Sequence, residues 1–295
     1  MNEPFKLFVT NYRETHVSGE LAYQAIESDV DLTIINGLMV QFAGCQPPQA
    51  VLYSTPFAGA NGASYNSGRL NTRNIVLTFS LLSNQESNRI RIYSLFRTGG
   101  KVRLKFYTQN NARQVYIEGF VETITENRFN AQRKEVIQVS IICYDPLFKA
   151  LTWNKVTKTG QQLSDVTFDV NYGGDVPYGI KAKITFSGTY CEEPFLRSIT
   201  DNIGNWGGIR ITEPDGEHPS TFDAGDSMNI CTIDGQKEVY KLDTNNVKTS
   251  LLNRLQQPIG WFKILSGNNT FRLGATAGGQ KMTLEFEWLE VYEGI

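Results

Sequence analysis

Residues 101–125, KVRLKFYTQNNARQVYIEGFVETIT, decide the fold class. Val102, Leu104 and Phe106 alternate with Lys101, Arg103 and Lys105. Period two predicts a strand with one buried face. Gln109-Asn110-Asn111 supplies a turn, and VYIEGFVETIT reads as a second strand, so an antiparallel hairpin is expected. A third strand, EVIQVSIICYD, ends at Asp145-Pro146. Proline cannot donate to a ladder and pushes its predecessor away from helix, so a unit closes there.

Upstream, Ile75, Leu77, Phe79 and Leu81 alternate with Val76, Thr78 and Ser80, giving another half-buried strand. Ser83-Asn84-Gln85-Glu86 fits a capping box, in which a serine oxygen and a glutamate three residues on satisfy the first helical amides. Ile92, Leu95 and Phe96 then form one apolar stripe, and Gly99-Gly100 stops the helix.

After Phe148 the sequence turns polar through ALTWNKVTKTGQQLSD. A boundary there divides the chain into residues 1–148 and 149–295. The second part reads as strands and turns. Ile180, Ala182, Ile184 and Phe186 alternate with lysines. Asp234-Gly235 is a two-residue hairpin signal. In KMTLEFEWLEVY, Met282, Leu284, Phe286 and Trp288 share a face, with Glu285 and Glu287 on the other. Many short strands at even spacing predict a mainly β protein built of β-sandwiches.

The 295 residues carry 40% hydrophobic and 20% charged residues, the range of globular domains. A formal charge of −2 provides no basic surplus for nucleic acid. The N-terminal MNEPFKLFVTNYRE lacks the apolar core of a secretory signal, and LTIINGLMVQFAG is too short and too interrupted to span a bilayer. Synthesis in a cytoplasm without membrane insertion is expected. Cys45, Cys143, Cys191 and Cys231 lie far apart, which favours buried free thiols over a zinc site.

Chemistry is hard to place. His16 and His218 belong to no metal-binding or nucleophile motif. Glu285, Glu287 and Glu290 beside Trp288 have the residue types of a sugar-cleaving cleft, but an outward strand face explains them more simply. Asp215, Glu217, Asp223 and Asp226 do not follow a calcium-loop spacing. No catalytic, cofactor or metal residue is assigned, and no enzymatic activity is expected. Trp206, in the loop NWGGIR, either stacks on a sugar ring or fills a sandwich edge; Trp261, between Ile259, Phe262 and Ile264, reads as core. Asn268-Asn269-Thr270 reads as a turn.

The segment VLYSTPFAGANGASYNS, within about residues 50–70, has aromatic residues and glycines but no period. It leads through Arg69 and Arg73 into the strand at Ile75. Such a segment needs something to lie against; on the residues alone, an intramolecular loop with its arginines in solvent is the simpler reading.

Taken in order, several passages resemble the distal tail (Dit) protein family of long-tailed, siphovirus-type bacteriophages. They are GANG then LNTRNIVLTFSLL, the helix with IYSLF, RLKFYT and VYIEGFVE, SIICYDPLF, FDAGDSMNICTIDGQKEVYKLD, GWFKILSGNNTFRL and WLEVYEGI. The resemblance covers nearly the whole chain. It implies an N-terminal β-sandwich domain with one helix that forms a ring, usually a homohexamer, followed by a galectin-like C-terminal β-sandwich. Such a ring sits at the virion's tail tip or baseplate. It joins the tail tube to a tail-associated lysin, hub or fibre protein, lets DNA pass without sequence-specific binding, and can carry receptor-binding proteins for host adsorption. Residues 53–66 are then an arm on the neighbouring subunit, with Arg69 and Arg73 anchoring its base through carboxylates or main-chain carbonyls; Tyr53, Phe57, Tyr65, Arg69 and Arg73 become the expected subunit-interface residues, because aromatic and arginine side chains bury much area per frozen torsion. The usual galectin sugar-binding set is not recognisable. The alternative is a monomeric carbohydrate-binding module that recognises cell-wall glycans through Trp206.

Overall fold

A computed structural model of the chain describes residues 5–18, 20–126, 135–161, 164–188, 191–201, 207–212 and 222–295. The chain is mainly β, with several antiparallel sheets and, among the described residues, one α-helix. It divides into two compact units, one of residues 1–151 with Tyr292–Ile295 and the other Thr152–Val291. The second unit is thus an insertion, and the last four residues return to the first unit instead of ending the second.

In the first unit the strands are β1 (Lys6–Val17), β2 (Glu20–Asp31), β3 (Leu38–Ala43), β4 (Ala50–Pro56), β5 (Ala63–Leu70) and β6 (Arg73–Leu81). Helix α1 (Gln85–Leu95) follows, then β7 (Lys101–Tyr107), β8 (Gln114–Glu126), β9 (Glu135–Cys143) and β10 (Phe148–Ala150). The main sheet runs β2-β1-β7-β8-β9-β6-β3, and the β7–β8 hairpin has Leu104 opposite Ile117. Every second residue of β6, β7 and β9 enters one core. A flat sheet would hold β1 and β3 roughly 25 Å apart at ~4.8 Å per strand. Yet Phe5, just before β1, stacks on Phe42 of β3 with ring centroids 4.7 Å apart, and Phe42 meets Phe106 of β7 at 5.6 Å. The sheet therefore folds over on itself and closes two layers around those rings. Bulges between Val121 and Thr123 in β8 and near Asn11 in β1 supply local bending.

Helix α1 buries Ile92 and Leu95, with Phe96 beyond its end, as the apolar stripe predicts. Its start differs from the expected capping box. Asn84 is the N-cap in the left-handed region (φ 52°) without a side-chain capping bond, and Glu86 pairs with Arg89. The reason lies outside the helix: the chain at Gly37 packs so closely on Ser83 that an added Cβ would lie 2.1 Å from the Ser83 hydroxyl. Asn88 ties this corner together by donating to the carbonyls of Ser83 (2.9 Å) and Asn36 (3.0 Å).

The second unit contains β11 (Asn154–Thr159), β12 (Val166–Tyr172), β13 (Lys181–Phe186), β14 (Phe195–Ser198), β15 (Gly208–Arg210), β16 (Ser227–Cys231), β17 (Glu238–Leu242), β18 (Lys248–Ser250), β19 (Gly267–Gly274) and β20 (Met282–Trp288); β21 (Val291–Tyr292) returns the chain to the first unit and pairs with β10. A six-stranded sheet, β11-β20-β13-β16-β17-β18, faces a four-stranded one, β12-β19-β14-β15. Phe168 and Phe271 of the smaller sheet meet Phe286 of the larger at 5.5 and 4.6 Å. This is a β-sandwich with its own aromatic core.

Two local expectations change. The Asp234-Gly235 connection is longer than two residues, since Cys231 pairs with Glu238. Thr232 has left the ladder to exchange hydrogen bonds with Ile180, and only Gly235 takes positive φ (79°). Asn268-Asn269-Thr270 lies in strand β19, not in a turn. Fully buried Asn269 accepts from the Leu265 amide (2.8 Å) and donates to the carbonyls of Leu265 (2.6 Å) and Gly267 (3.0 Å), fixing the loop before the strand.

Candidate assembly surface

Residues 50–70 form a two-stranded ribbon, β4–β5, which joins no other sheet. Its register runs from Ala50 opposite Leu70 to Pro56 opposite Ala63, with a bulge after Tyr53. The tip is closed by the Phe57 amide on the Gly62 carbonyl (3.2 Å), and Gly59 and Gly62 take the left-handed φ of 75° and 99°. Asn66 donates to the Thr55 hydroxyl at 2.7 Å.

Both ribbon faces carry apolar groups. Leu52 and Tyr65 lie on one, where Gly68 leaves room for the Tyr65 hydroxyl. Tyr53 lies on the other, together with Arg69. Leu52 is 68% exposed and Tyr65 65%, and Tyr53 and Phe57 are about half exposed. An isolated two-stranded hairpin is marginal in water, and clustered exposed rings mark surfaces that meet a partner. Leu52 is an exposed apolar residue of the ribbon that the sequence reading did not single out.

The two arginines part company. Arg69 is exposed and has no bonded partner among the described residues. Arg73 is only 3% exposed. Its Nε donates to the Pro146 carbonyl (2.7 Å), and its Nη1 to those of Gly44 (2.8 Å) and Gln46 (2.5 Å). Its Nη2 donates to the Glu293 carbonyl, and the guanidinium lies 4.6 Å from the Phe148 ring centroid. Arg73 thus anchors the ribbon's base through main-chain carbonyls, as expected, but they are those of its own chain, so it is corrected as a subunit-interface residue. It is an internal clamp on the base of the ribbon, holding the entering strand, the Asp145-Pro146 corner and the returning tail.

Gly44 makes the clamp possible, because at φ 91° its missing Cβ would stand 2.0 Å from the Asn74 carbonyl oxygen. Burial lowers the Arg73 pKa from its ordinary value, yet the group stays charged, since arginine starts so high. Burial also pushes the neighbouring Cys45 and Cys143 thiols up to about 12, against the pull of the Arg73 charge.

All four cysteines are free and buried. Trp206 and His218 lie outside the described residues, as do Asp215 and Glu217. Asp226 accepts from the Asp223 amide and pairs with Lys241, so it serves the fold. Among the described residues no group of three metal-ligating side chains gathers, and no helix is long and apolar enough to cross a membrane. Glu285 and Glu287 share Lys155 on the outward face of β20.

Neither a protein-family model nor a curated protein matches the sequence. Solved structures do. The Dit protein of phage SPP1, described as a paradigm of the hub adsorption apparatus in phages infecting Gram-positive bacteria, superposes with a TM-score of 0.64 at 16% identity, over 98% of this chain and 99% of that one. Chains of the phage P2 baseplate in its activated conformation, with calcium and with strontium, overlap less well. Their TM-scores are 0.47 and 0.44, both at 11% identity, over 99% and 97% of this chain and 100% and 98% of those. From β1 to the returning tail, the chain has the fold of a phage distal tail protein.

Proposed function

We propose that the chain is a structural component of a phage tail tip or baseplate. In this reading it assembles head to tail into a homo-oligomeric ring, most simply a hexamer, between the tail tube and the hub or fibre protein, and DNA passes through the ring. The observation that carries it is end-to-end likeness to the SPP1 Dit fold, joined to an exposed aromatic ribbon with no sheet of its own to join. A heterologous contact closes into a ring when its rotation divides a full turn, so one ribbon-to-neighbour contact sets the copy number. Work is done by shape, without bond making. The formal charge of −2 suits a channel that must not hold phosphates.

Negative-stain microscopy with light-scattering mass tests the reading. Annular particles several chains in mass are expected, lost on replacing residues 51–69 with a short glycine linker or on the combined change Tyr53→Ser, Phe57→Ser and Tyr65→Ser. A chain that stays monomeric at every concentration, and is absent from the tail tip of virions, overturns it. Rings that survive the ribbon changes overturn only the ribbon's part.

A further inference from the structure

The chain holds two Asn-Gly pairs, Asn36-Gly37 and Asn61-Gly62, and the fold treats them in opposite ways. Such a pair has its own chemistry. Glycine has no Cβ to shield its main-chain nitrogen, so the side chain of a preceding asparagine can bend back onto it. That bending requires a peptide unit with room to swing.

At Asn36-Gly37 the main chain is held. The Asn36 carbonyl accepts from the Asn88 side chain (3.0 Å), and the Gly37 carbonyl accepts from the amides of Leu82 (2.7 Å) and Ser83 (3.3 Å). A Cβ added at Gly37 would lie 2.6 Å from the Ser83 carbonyl oxygen, so a swing there would break the corner before helix α1.

Asn61-Gly62 stands at the tip of the β4–β5 ribbon, and both residues are exposed. Neither the Asn61 side chain nor the Gly62 amide has a hydrogen-bond partner among the described residues. The bond that closes the tip uses the Gly62 carbonyl and leaves its nitrogen untouched. The nearest atoms to a Cβ added at Gly62 belong to the Phe57 ring, 3.7 Å away, so the space is open.

We infer that Asn61 is a self-modifying site, converted to aspartate and isoaspartate through a cyclic imide with Gly62, and that the change limits how long an unassembled chain can join a ring. The Gly62 nitrogen gives its proton to solvent and attacks Cγ of Asn61. The new N–Cγ bond forms, the Cγ–Nδ2 bond breaks, and ammonia leaves with a proton from solvent. Water then opens the imide at the side-chain carbonyl, giving aspartate, or at the main-chain carbonyl, giving isoaspartate. One water is consumed and one ammonia released, with no change of oxidation state.

Between residues 50 and 70 the only charged side chain is Arg69, so the product puts a carboxylate where the tip had none. A neighbour that covers the ribbon must strip water from that charge, a cost the neutral tip does not carry. Isoaspartate also lengthens the main chain by one methylene just before Gly62 and so disturbs the closing bond. A tip already seated on a neighbour has lost its freedom to swing and is spared. The timing role rests on the ribbon's part in ring formation; the chemistry at Asn61 does not.

The test is to age the full chain in warm, mildly alkaline buffer, dilute and in assembled fractions, and to follow its peptides by mass spectrometry with enzymatic methylation of isoaspartate. The Asn61 peptide of the dilute chain should exchange its side-chain amide for an acid at least tenfold faster than the Asn36 peptide, and tenfold faster than in assembled particles. Asn61→Gln, whose ring would be a strained-to-reach six-membered one, should stay unmodified and keep forming annular particles after ageing. Freshly made Asn61→Asp should form several-fold fewer of them at an unchanged thermal midpoint. The proposal is overturned if Asn61 changes no faster than Asn36, or if Asn61→Asp and aged chains assemble as well as fresh parent. A chain that never assembles overturns the ring reading and the timing role with it, while the measured rate at Asn61 still decides the chemistry.

Discussion

Arg73 shows how one side chain can organise distant segments. Its guanidinium serves four carbonyls that come from three separate parts of the chain. Arg73→Ala would leave those carbonyls short of donors in a water-poor place. A loss of roughly 3–5 kcal/mol is expected in denaturant unfolding. Arg73→Lys should recover only part of it, because an ammonium cannot reach a planar fan of acceptors. The same pocket protects Cys45 and Cys143. With thiol pKa values pushed up to about 12, neither ionises near neutrality, and both should react with a thiol reagent at pH 8 only once their unit opens. Sequence spacing could not tell Arg69 from Arg73, since the acceptors that distinguish them are contributed by residues as remote as Glu293.

Among the elements, strands with one buried face were legible and those with none were not. β6, β7, β9, β13 and β20 announce themselves by alternation. β5, ASYNSGRL, is exposed at every position but Leu70, so nothing imposes period two on it. The distal halves of β1 and β2 are hidden for the same reason, with Val17 and Leu21 more than half exposed. The β7–β8 hairpin also carries a charge cluster on its outer face, where Glu118 pairs with Lys101 (2.7 Å) and Arg103 (2.5 Å). Burial pushes the Glu118 carboxyl up, but hydrogen bonds and charge from Lys101 and Arg103 outweigh it and leave its pKa below the ordinary value. A depressed folded pKa contributes stability that is present above the unfolded value, ~4.3, and lost as pH falls through the folded one. Glu118→Gln should therefore lower stability at pH 7, by about 1 kcal/mol after solvent screening, and by less at acid pH. Parallel denaturant curves for the two proteins from pH 7 to pH 3 check the sign: the gap must narrow on acidification.

At the scale of the whole molecule, each unit has its own core and its own two thiols. Cys45 and Cys143 lie in the first, Cys191 and Cys231 in the second. Phe286→Ala removes a ring at the centre of the second core and should cost ~3–5 kcal/mol. Thiol labelling during mild heating identifies which core has opened. Cys191 and Cys231 should label early in this variant while Cys45 and Cys143 stay at parental rates; early labelling of all four would mean that the two cores melt as one. The polar shift after Phe148 lies three residues before the division at Thr152, whereas the return of the tail leaves no mark in the sequence, because WLEVYEGI looks like an ordinary last strand.

That return has an evolutionary consequence. The chain leaves the first unit just after β10 and re-enters it at β21, and these strands are hydrogen-bonded neighbours. Residues 152–291 therefore make up a cassette with both splice points on one ladder. Any domain whose own ends lie close together can be exchanged there without redesigning the host scaffold.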